Sequence, residues 1–530
     1  MFKGFLRFFH TLRFIKLIQF QYQLFYRLKK YFISINHYKK YSKHTIKTFN
    51  VNSAAILGST TKEFLSENTF EFIGLKHTFI DGVDWNFKGH GKLWNYNLQY
   101  FTYLLDETIP SEERLQLLKK FSTDLLSSKV QLEPYPVSIR IVNCLLFHSR
   151  YPISDAIILE AILKQVDYLE HNLEYHILGN HLLENLFCLF LASIYLDDFQ
   201  LQKKSHQLLI AQLSEQILDD GSHYECSVMY HSILLSKLLI CIDVYRNGSK
   251  SHSLDLGAFE NTASKMLSWI KTYSFPDGSW ALMNDAAEGI APTTEKLVTA
   301  AEYLKITSQP ILFSHSGFAK IYGENWEIVI KTGGVQPSYQ PGHTHADIGN
   351  FCLWYKGKQI IVDRGISTYN SNHLRSEERS THSHNTVTIG GLNQSDVWSS
   401  FRIGDRAKFK NNIGENCIEV SVSPYHDKNS IHKRIITKVG KFKFTIRDSV
   451  SNTNSLIDLF ATGSLQLSKH SSIRSFGYIL EDKNIRITFT EPTQFTFESG
   501  IYSTHFNEYE QGTQLIYQVK DTVEMTIELL

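Results

Sequence analysis

The hydrophobic period of this 530-residue chain changes once, near residue 305, and that change limits the fold more than any single motif does. Before it, apolar residues recur at helical spacing in LWNYNLQYFTYLLD (93–106), RLQLLKKFSTDLLSS (114–128), AIILEAILKQVDYLEHNL (156–173), HLLENLFCLFLASIYL (181–196), HQLLIAQLSEQIL (206–218) and MYHSILLSKLLICIDVY (229–245). Short loops such as DDGSH (219–223) and FPDGSW (275–280) join them. A series of helices with short connections implies antiparallel neighbours, as in a toroid or solenoid. After residue 310 the runs are short and rich in β-branched and aromatic residues, for example WEIVIKTGG (326–334), NFCLWYKGKQIIVDRG (350–365), KRIITKVGKFKFTIRDSV (433–450) and VEMTIEL (523–529). Many short strands without intervening helices argue for an antiparallel sandwich. Hairpin turns are expected at Gly357 and Gly440.

The expected organisation is a multidomain α and β protein. It comprises a basic amphipathic N-terminal segment (1–50), an (α/α) toroid domain (51–305) and an antiparallel β-sandwich domain (306–530). The first thirty residues, MFKGFLRFFHTLRFIKLIQFQYQLFYRLKK, are apolar, aromatic and basic, and no acidic residue precedes Glu63. Arg7, Arg13 and Lys16 interrupt any signal-peptide core, and no 18-residue uncharged run exists to span a bilayer. Two readings follow. Either a basic helix lies on an anionic membrane surface, or a helix packs on the protein's own body with its basic edge in water. The expected location is cytoplasmic or peripheral to the inner membrane, with the periplasm as the alternative. A net charge of +1 does not favour a nucleic-acid groove. The six cysteines form no CxxC pair, and Cys144, Cys188 and Cys241, in apolar helix-like runs, read as buried thiols.

Four polar clusters stand out. In GNHLLEN (179–185), Asn180 reads as a helix N-cap, and His181 and Glu184 share a helix face beside an anion-favouring helix start. In DGSHYECSVMYH (220–231), Tyr230 and His231 fall in the first turns of the next helix. In PGHTHADIGNF (341–351), His343, His345 and Asp347 would share one face if the chain were extended. His345, Asp363 and His384 together offer an N/O/N set suited to zinc. In LRSEERSTHSHNTV (374–387), Arg375 and Arg379 suit carboxylate or sulfate anions. Each cluster also has a plain structural reading: a cap, helix packing, a strand-edge network, a solvated loop. No GxSxG elbow, Walker A loop or HExxH motif competes. Carboxylates such as Asp219, Asp220 and Glu225, or Asp277 and Asp285, could pair for glycoside hydrolysis.

Taken in order, GNHLLEN, GSHYECSVMYH, GHTHADIGNF with IIVDRG, and HSHNTV resemble the heparinase II/III family of polysaccharide lyases, relatives of oligo-alginate lyases. The resemblance covers roughly residues 80 to 400. It implies a toroid followed by a β-sandwich, and β-elimination on a uronic-acid-containing, acidic polysaccharide or oligosaccharide. Asn180 and His181 match the residues that neutralise the uronate carboxylate. Tyr230 and His343 match the proton-transferring pair, and Tyr369 falls where some relatives place a second tyrosine. Trp94, Arg140, Glu184 and Arg379 become candidate substrate-binding residues. His345, Asp363 and His384 match a structural Zn2+ site, and no organic cofactor is implied. Members without an export signal are associated with capsule or lipopolysaccharide gene clusters, which implies a biosynthetic role. The alternatives are a uronate C5 epimerase, an inverting glycoside hydrolase and a non-catalytic glycan-binding protein.

Overall fold

The helix Gly179–Leu196 organises the first half of the molecule. Its sequence is apolar all round, so it must be enclosed on every side, and His181 is its one residue that is not buried. The computed structural model describes residues 2–29, 34–58, 63–66, 68–248, 254–311, 316–452 and 460–530. In it, Gly179–Leu196 packs against Pro134–Arg150, Phe199–Gln216 and Val228–Asn247. Enclosing Leu182, Leu186, Phe187 and Phe190 completely stabilises the fold by roughly 1.5–3 kcal/mol for each side chain. Val228–Asn247 is long and apolar enough to cross a bilayer, but its apolar stretch is 78% buried, as in a core helix. The loops DDGSH and FPDGSW fold back on themselves through the isolated bridges Ile217–His223 and Ser274–Trp280.

Two eight-stranded antiparallel sheets form the second half. One runs Lys408–Ile413, Cys417–Ser423, Ser430–Gly440, Lys443–Asn452, Thr522–Leu529, Ile485–Phe489, Ile479–Glu481, Arg474–Phe476. The other runs Phe495–Tyr502, Glu510–Gln518, Ala461–Leu467, Lys358–Ile361, Phe351–Tyr355, Trp326–Lys331, Phe318–Gly323, with Val387–Ile389 also paired to Ala461–Leu467. Their inward faces share one apolar core that includes Ile328, Phe351, Leu353, Ile436, Ile446 and Ile527. The second sheet is also covered on its other face: Phe318, Val329, Cys352 and Trp354 belong to the core of the helical half. Burial on both faces explains why NFCLWYKGKQII is apolar almost without alternation, whereas Ser430–Gly440 alternates buried and partly exposed residues.

The hairpin at Gly357 has its glycine at φ +82°, as a tight turn requires. The second hairpin turns just past Gly440, which itself pairs with Lys443. A three-stranded antiparallel sheet, Phe64–Ser66, Thr69–Phe72 and Leu75–Thr78, sits in the helical half and has no counterpart in the sequence reading. Its strands are too short to show a period. It is held by aromatic packing, with Phe72 edge-on to Trp94 at 5.2 Å.

Candidate active site

The tight start of Gly179–Leu196 builds the first wall of the site. Leu178, at φ 66°, caps this helix without a side-chain hydrogen bond, so Asn180 lies inside the first turn and is not the N-cap. The Asn180 N–H, left without an intrahelical partner, donates to Glu225 Oε1 at 3.1 Å, and Asn180 Nδ2 donates to Glu225 Oε2 at 2.8 Å. The anion that a helix start attracts is thus supplied by the protein. Gly179 has φ +60°, and a Cβ there would lie 2.3 Å from Glu225 Oε1, so only glycine admits this contact.

Tyr230 enters from the first turn of Val228–Asn247, whose N-cap Ser227 accepts from the Tyr230 N–H at 3.3 Å. His343 enters from the opposite half. Its Nε2 stands 3.5 Å from Asn180 Nδ2, and its ring lies over that of Tyr230 at 4.0 Å between centroids. Tyr230 and Tyr369 hydroxyls are 3.2 Å apart. His181, Tyr230, His343 and Tyr369 are each partly exposed around buried Asn180, forming an open polar pit between the two halves.

Asp285 holds this arrangement together. His343 Nδ1 donates to its Oδ2 and His345 Nε2 to its Oδ1, both at 2.8 Å. Arg375 binds the same carboxylate through two bonds of 2.6 and 2.7 Å. A carboxylate only accepts, so Nδ1 of His343 carries the proton and Nε2 faces the pit. Burial alone would raise the Asp285 carboxyl, but Arg375, with the two histidines, outweighs it and keeps the group well below the usual range. Burial raises Tyr230 above the ordinary phenol range, so its hydroxyl stays protonated. For His181, burial opposes charging, but Glu174, 3.0 Å from Nδ1, outweighs it and raises the imidazole.

The run HTHADIG adopts turns here and not a strand, so its three polar side chains part company. His343 faces the pit, His345 turns under it to Asp285, and Asp347 pairs with Lys331. Donor atoms of Asp347, Asp363 and His384 gather within 4.8 Å of one another, and the His345 ring is 5.3 Å from that of His384. Asp347 thus takes the place beside Asp363 and His384 that the sequence assigned to His345, whose ring lies next to the group and whose Nε2 is bound to Asp285. His384 Nδ1 bonds Asp363 Oδ2 at 2.8 Å. His345 Nδ1, His384 Nε2 and Asp347 Oδ2 are buried with no hydrogen-bond partner.

All four candidate substrate-binding residues are enclosed. Trp94 is fully buried and donates to the Leu75 carbonyl at 2.8 Å. Tyr96 and Tyr100, on the other face of the same helix, are partly exposed and form an aromatic wall with Tyr135. Tyr135 in turn packs on His181 at 4.3 Å. Arg140 is fully buried, binding Gln165 at 2.6 Å and the Gln99 carbonyl at 2.8 Å, and burial lowers it to about 10. Arg379 is equally enclosed. It spans the carbonyls of Thr344, Ser399 and Arg402, and burial brings it to about 9. Neither it nor Arg375 presents a charge to the pit; both brace the loops that form it. Glu184 is 1% exposed, and neither of its oxygens has a hydrogen-bond partner. It does not orient His181, since Glu174 does. Asp285 and Glu225 are occupied as described, which removes them from any hydrolytic carboxylate pair.

The loop carrying Tyr369 rests on Glu378, which accepts from the Ser367 N–H at 2.9 Å and hydroxyl at 2.5 Å. Burial pushes Glu378 up to about 7. A raised carboxyl makes the folded state bind more protons than the unfolded one, so stability falls as pH rises from the unfolded value near 4.5 through 7. Glu378→Gln is expected to leave stability unchanged at pH 5. At pH 8 it should raise it by roughly 2–3 kcal/mol, read by urea denaturation.

A largely helical half and a double-sheet half thus meet at this polar pit, and the comparisons identify the family. The sequence model described as heparinase II/III N-terminus matches residues 149–308, and that described as heparinase II/III-like, C-terminal, matches residues 305–529. The chain belongs to the heparinase II/III-like family. A heparin-sulfate lyase of Bacteroides stercoris is 25% identical over 325 residues, covering 54% of this chain and 46% of that protein. The match therefore spans less than half of the curated relative's length. Among solved structures, a crystal structure of heparinase III superposes with a TM-score of 0.67 at 15% identity, covering 96% of this chain and 91% of that one. A mutant of the heparan sulfate lyase HepC from Pedobacter heparinus gives 0.60 at 17% identity, covering 87% and 81%. At these identities the structures establish a shared fold.

Proposed function

We propose that this protein is a polysaccharide lyase that cleaves a uronic-acid-containing glycan by β-elimination. The observation that carries the reading is the convergence, from both halves of the chain, of Asn180 and Tyr230 on His343, whose Nε2 is 3.5 Å from Asn180 Nδ2 and whose ring centroid is 4.0 Å from that of Tyr230. The C5 hydrogen of a uronate is a poor acid because its neighbouring carboxylate is already negative. Asn180 and a charged His181 would face that carboxylate and offset the charge that develops on it as the C5 proton leaves. His343 Nε2, its partner nitrogen fixed by Asp285, takes the proton from C5. The C5–H electrons become the C4=C5 double bond, the C4–O4 bond breaks, and the leaving O4 receives the proton of Tyr230. Tyr369 hydrogen-bonds that hydroxyl. Which of His343 and Tyr230 is base and which acid depends on the C5 configuration of the substrate. The aromatic wall of Tyr96, Tyr100 and Tyr135 suits stacking against sugar rings. The architecture this reading assumes is an (α/α) toroid over 51–305 with a β-sandwich over 306–530, closing on the glycan from two sides. The relative named a heparin-sulfate lyase points to an acidic, sulfated glycan as a first substrate to try. A biosynthetic role in capsule or lipopolysaccharide assembly would require the polymer made by neighbouring genes.

Incubation with a panel of uronate polymers tests the reading. A lyase yields ultraviolet-absorbing unsaturated ends, a hydrolase saturated ends, and an epimerase solvent deuterium at C5 without cleavage. The charge on His181 adds a pH test. Its raised pKa means the cationic form is lost only as pH rises through that elevated value. Glu174→Gln removes the partner and lowers the pKa, so the alkaline limb of the kcat/KM profile is expected to move to lower pH while the acid limb stays.

The buried group of Asp347, Asp363 and His384, with the ring of His345 next to it, fits a divalent ion, on the ground of the three unpartnered donor atoms there. Imidazole and carboxylate donors suit zinc. Bound there, the ion would be structural, tying the loop of His343 to Asp363 and His384; the elimination needs nothing from it. Chelation is expected to lower Tm, with a loss of about 4 kcal/mol if metal was present at a thousand times its Kd. His384→Ala should abolish both metal content and the chelator effect.

A further inference from the structure

The two N-terminal helices, α1 (Phe2–Leu12) and α2 (Leu17–Lys29), are turned the wrong way for a protein in water. Several of their polar side chains, and Arg13 between them, reach back to the protein, while Gln21, Gln23 and Arg27 are exposed. Arg7 grips Asp396 through two bonds of 2.8 and 2.7 Å, and Arg13 reaches Asp405 at 3.0 Å. Thr11 accepts from the Trp398 indole at 3.2 Å, Gln19 donates to the Ile177 carbonyl at 3.2 Å, and Tyr26 donates to that of Leu173. Their apolar side chains face outward. Phe8, Phe9, Leu17, Phe20, Leu24 and Leu28 are 53–71% exposed. On α2 the outward set repeats at 17, 20, 24 and 28, one continuous stripe. The helices do pack on the protein's own body, with Ile18 against its core and Arg27 in water, but the row of exposed apolar side chains is not what that packing alone requires. A soluble monomer rarely leaves so large an apolar surface uncovered.

We propose that this face docks on an anionic lipid bilayer surface. Charge complementarity selects that occupant. No aspartate or glutamate occurs before Glu63, while Lys3, Arg27 and Lys29 lie in the two helices. Aromatic and leucine side chains on one face of short, cation-flanked helices are the chemistry of interfacial binding. Neither helix, at 11 and 13 residues, is long enough to span the hydrocarbon. The two helices are also fastened to both rims of the pit. α1 holds the segment 396–405, whose Phe401 packs on Tyr369 at 5.2 Å, and α2 holds 173–177, just before Asn180.

Flotation of the full-length protein with phosphatidylcholine vesicles, with and without phosphatidylglycerol, tests the proposal. The wild type is expected to float with the anionic vesicles and to be released by high salt. The double variant Phe20→Glu/Leu24→Glu should lose at least tenfold in vesicle binding while keeping its circular dichroism spectrum and its activity on a soluble glycan. Three results would overturn the proposal. One is a wild type that stays with the bulk solution at low salt. Another is a variant that binds like the wild type. The third is a variant that turns a wild-type dimer into a monomer without changing vesicle binding, which would make the face a self-association surface.

Discussion

Asp285→Asn is expected to lower turnover by about four orders of magnitude. The carboxylate fixes the proton of His343 on Nδ1 and leaves Nε2 free to face substrate. An amide in its place can donate to Nδ1, which turns the imidazole to the wrong tautomer; in a serine protease the equivalent exchange costs about 10⁴ in kcat. The same substitution removes the counter-charge of Arg375, which is fully buried. Breaking one side of such a pair leaves an uncompensated charge, so stability should fall by about 3–5 kcal/mol. Both effects are measurable: single-turnover kinetics for the first, urea denaturation for the second. Full activity in the variant would remove His343 from the chemistry.

Asn180→Ala comes next in expected effect. Its amide donates to the protein's own Glu225 and stands beside His343. A donor placed where charge develops in the transition state accounts for about 10²–10³ in rate. The loss should appear in kcat with little change in KM, because the contact strengthens as the C5 proton leaves. Stability should change far less than in Asp285→Asn, since Glu225 keeps the backbone N–H of residue 180. A variant that loses only KM would make Asn180 a binding residue and would shift the burden of charge neutralisation to His181.

The division into a helical and a strand-rich half was legible because hydrophobic period survives in long elements. Short or edge elements were not. Lys408–Ile413 is exposed along its whole length and carries charged and amide residues, as edge strands do. At the site, Asn180, Tyr230 and His343 stood out because they lie in unusual polar runs beside apolar helices and strands. Glu174 carried no such signal, and Glu225 and Asp285 stood out only as carboxylates that could pair for hydrolysis. Each is a single carboxylate whose meaning comes from a partner elsewhere in the chain, as with Asp285 and His343, 58 residues apart. Trp94 could have been read correctly: it shares a stripe with Leu98 and Phe101, whereas Tyr96 and Tyr100 share the other face. Arg140 and Arg379 misled because residue type alone cannot distinguish a charge offered to substrate from one enclosed by carbonyls. For Asp347, only the fold shows that it turns away from His343 and joins Asp363 and His384.

The most direct measurement is mass spectrometry of the products formed from a uronate polymer in ¹⁸O-labelled water. Elimination predicts new non-reducing ends that carry a double bond, lack one water in mass and contain no ¹⁸O, with the activity lost in both Asn180→Ala and Tyr230→Phe. Saturated non-reducing ends, with the oxygen of water gained at the anomeric carbon of the new reducing end, would mean hydrolysis, and the convergence of Asn180, Tyr230 and His343 would then need another explanation.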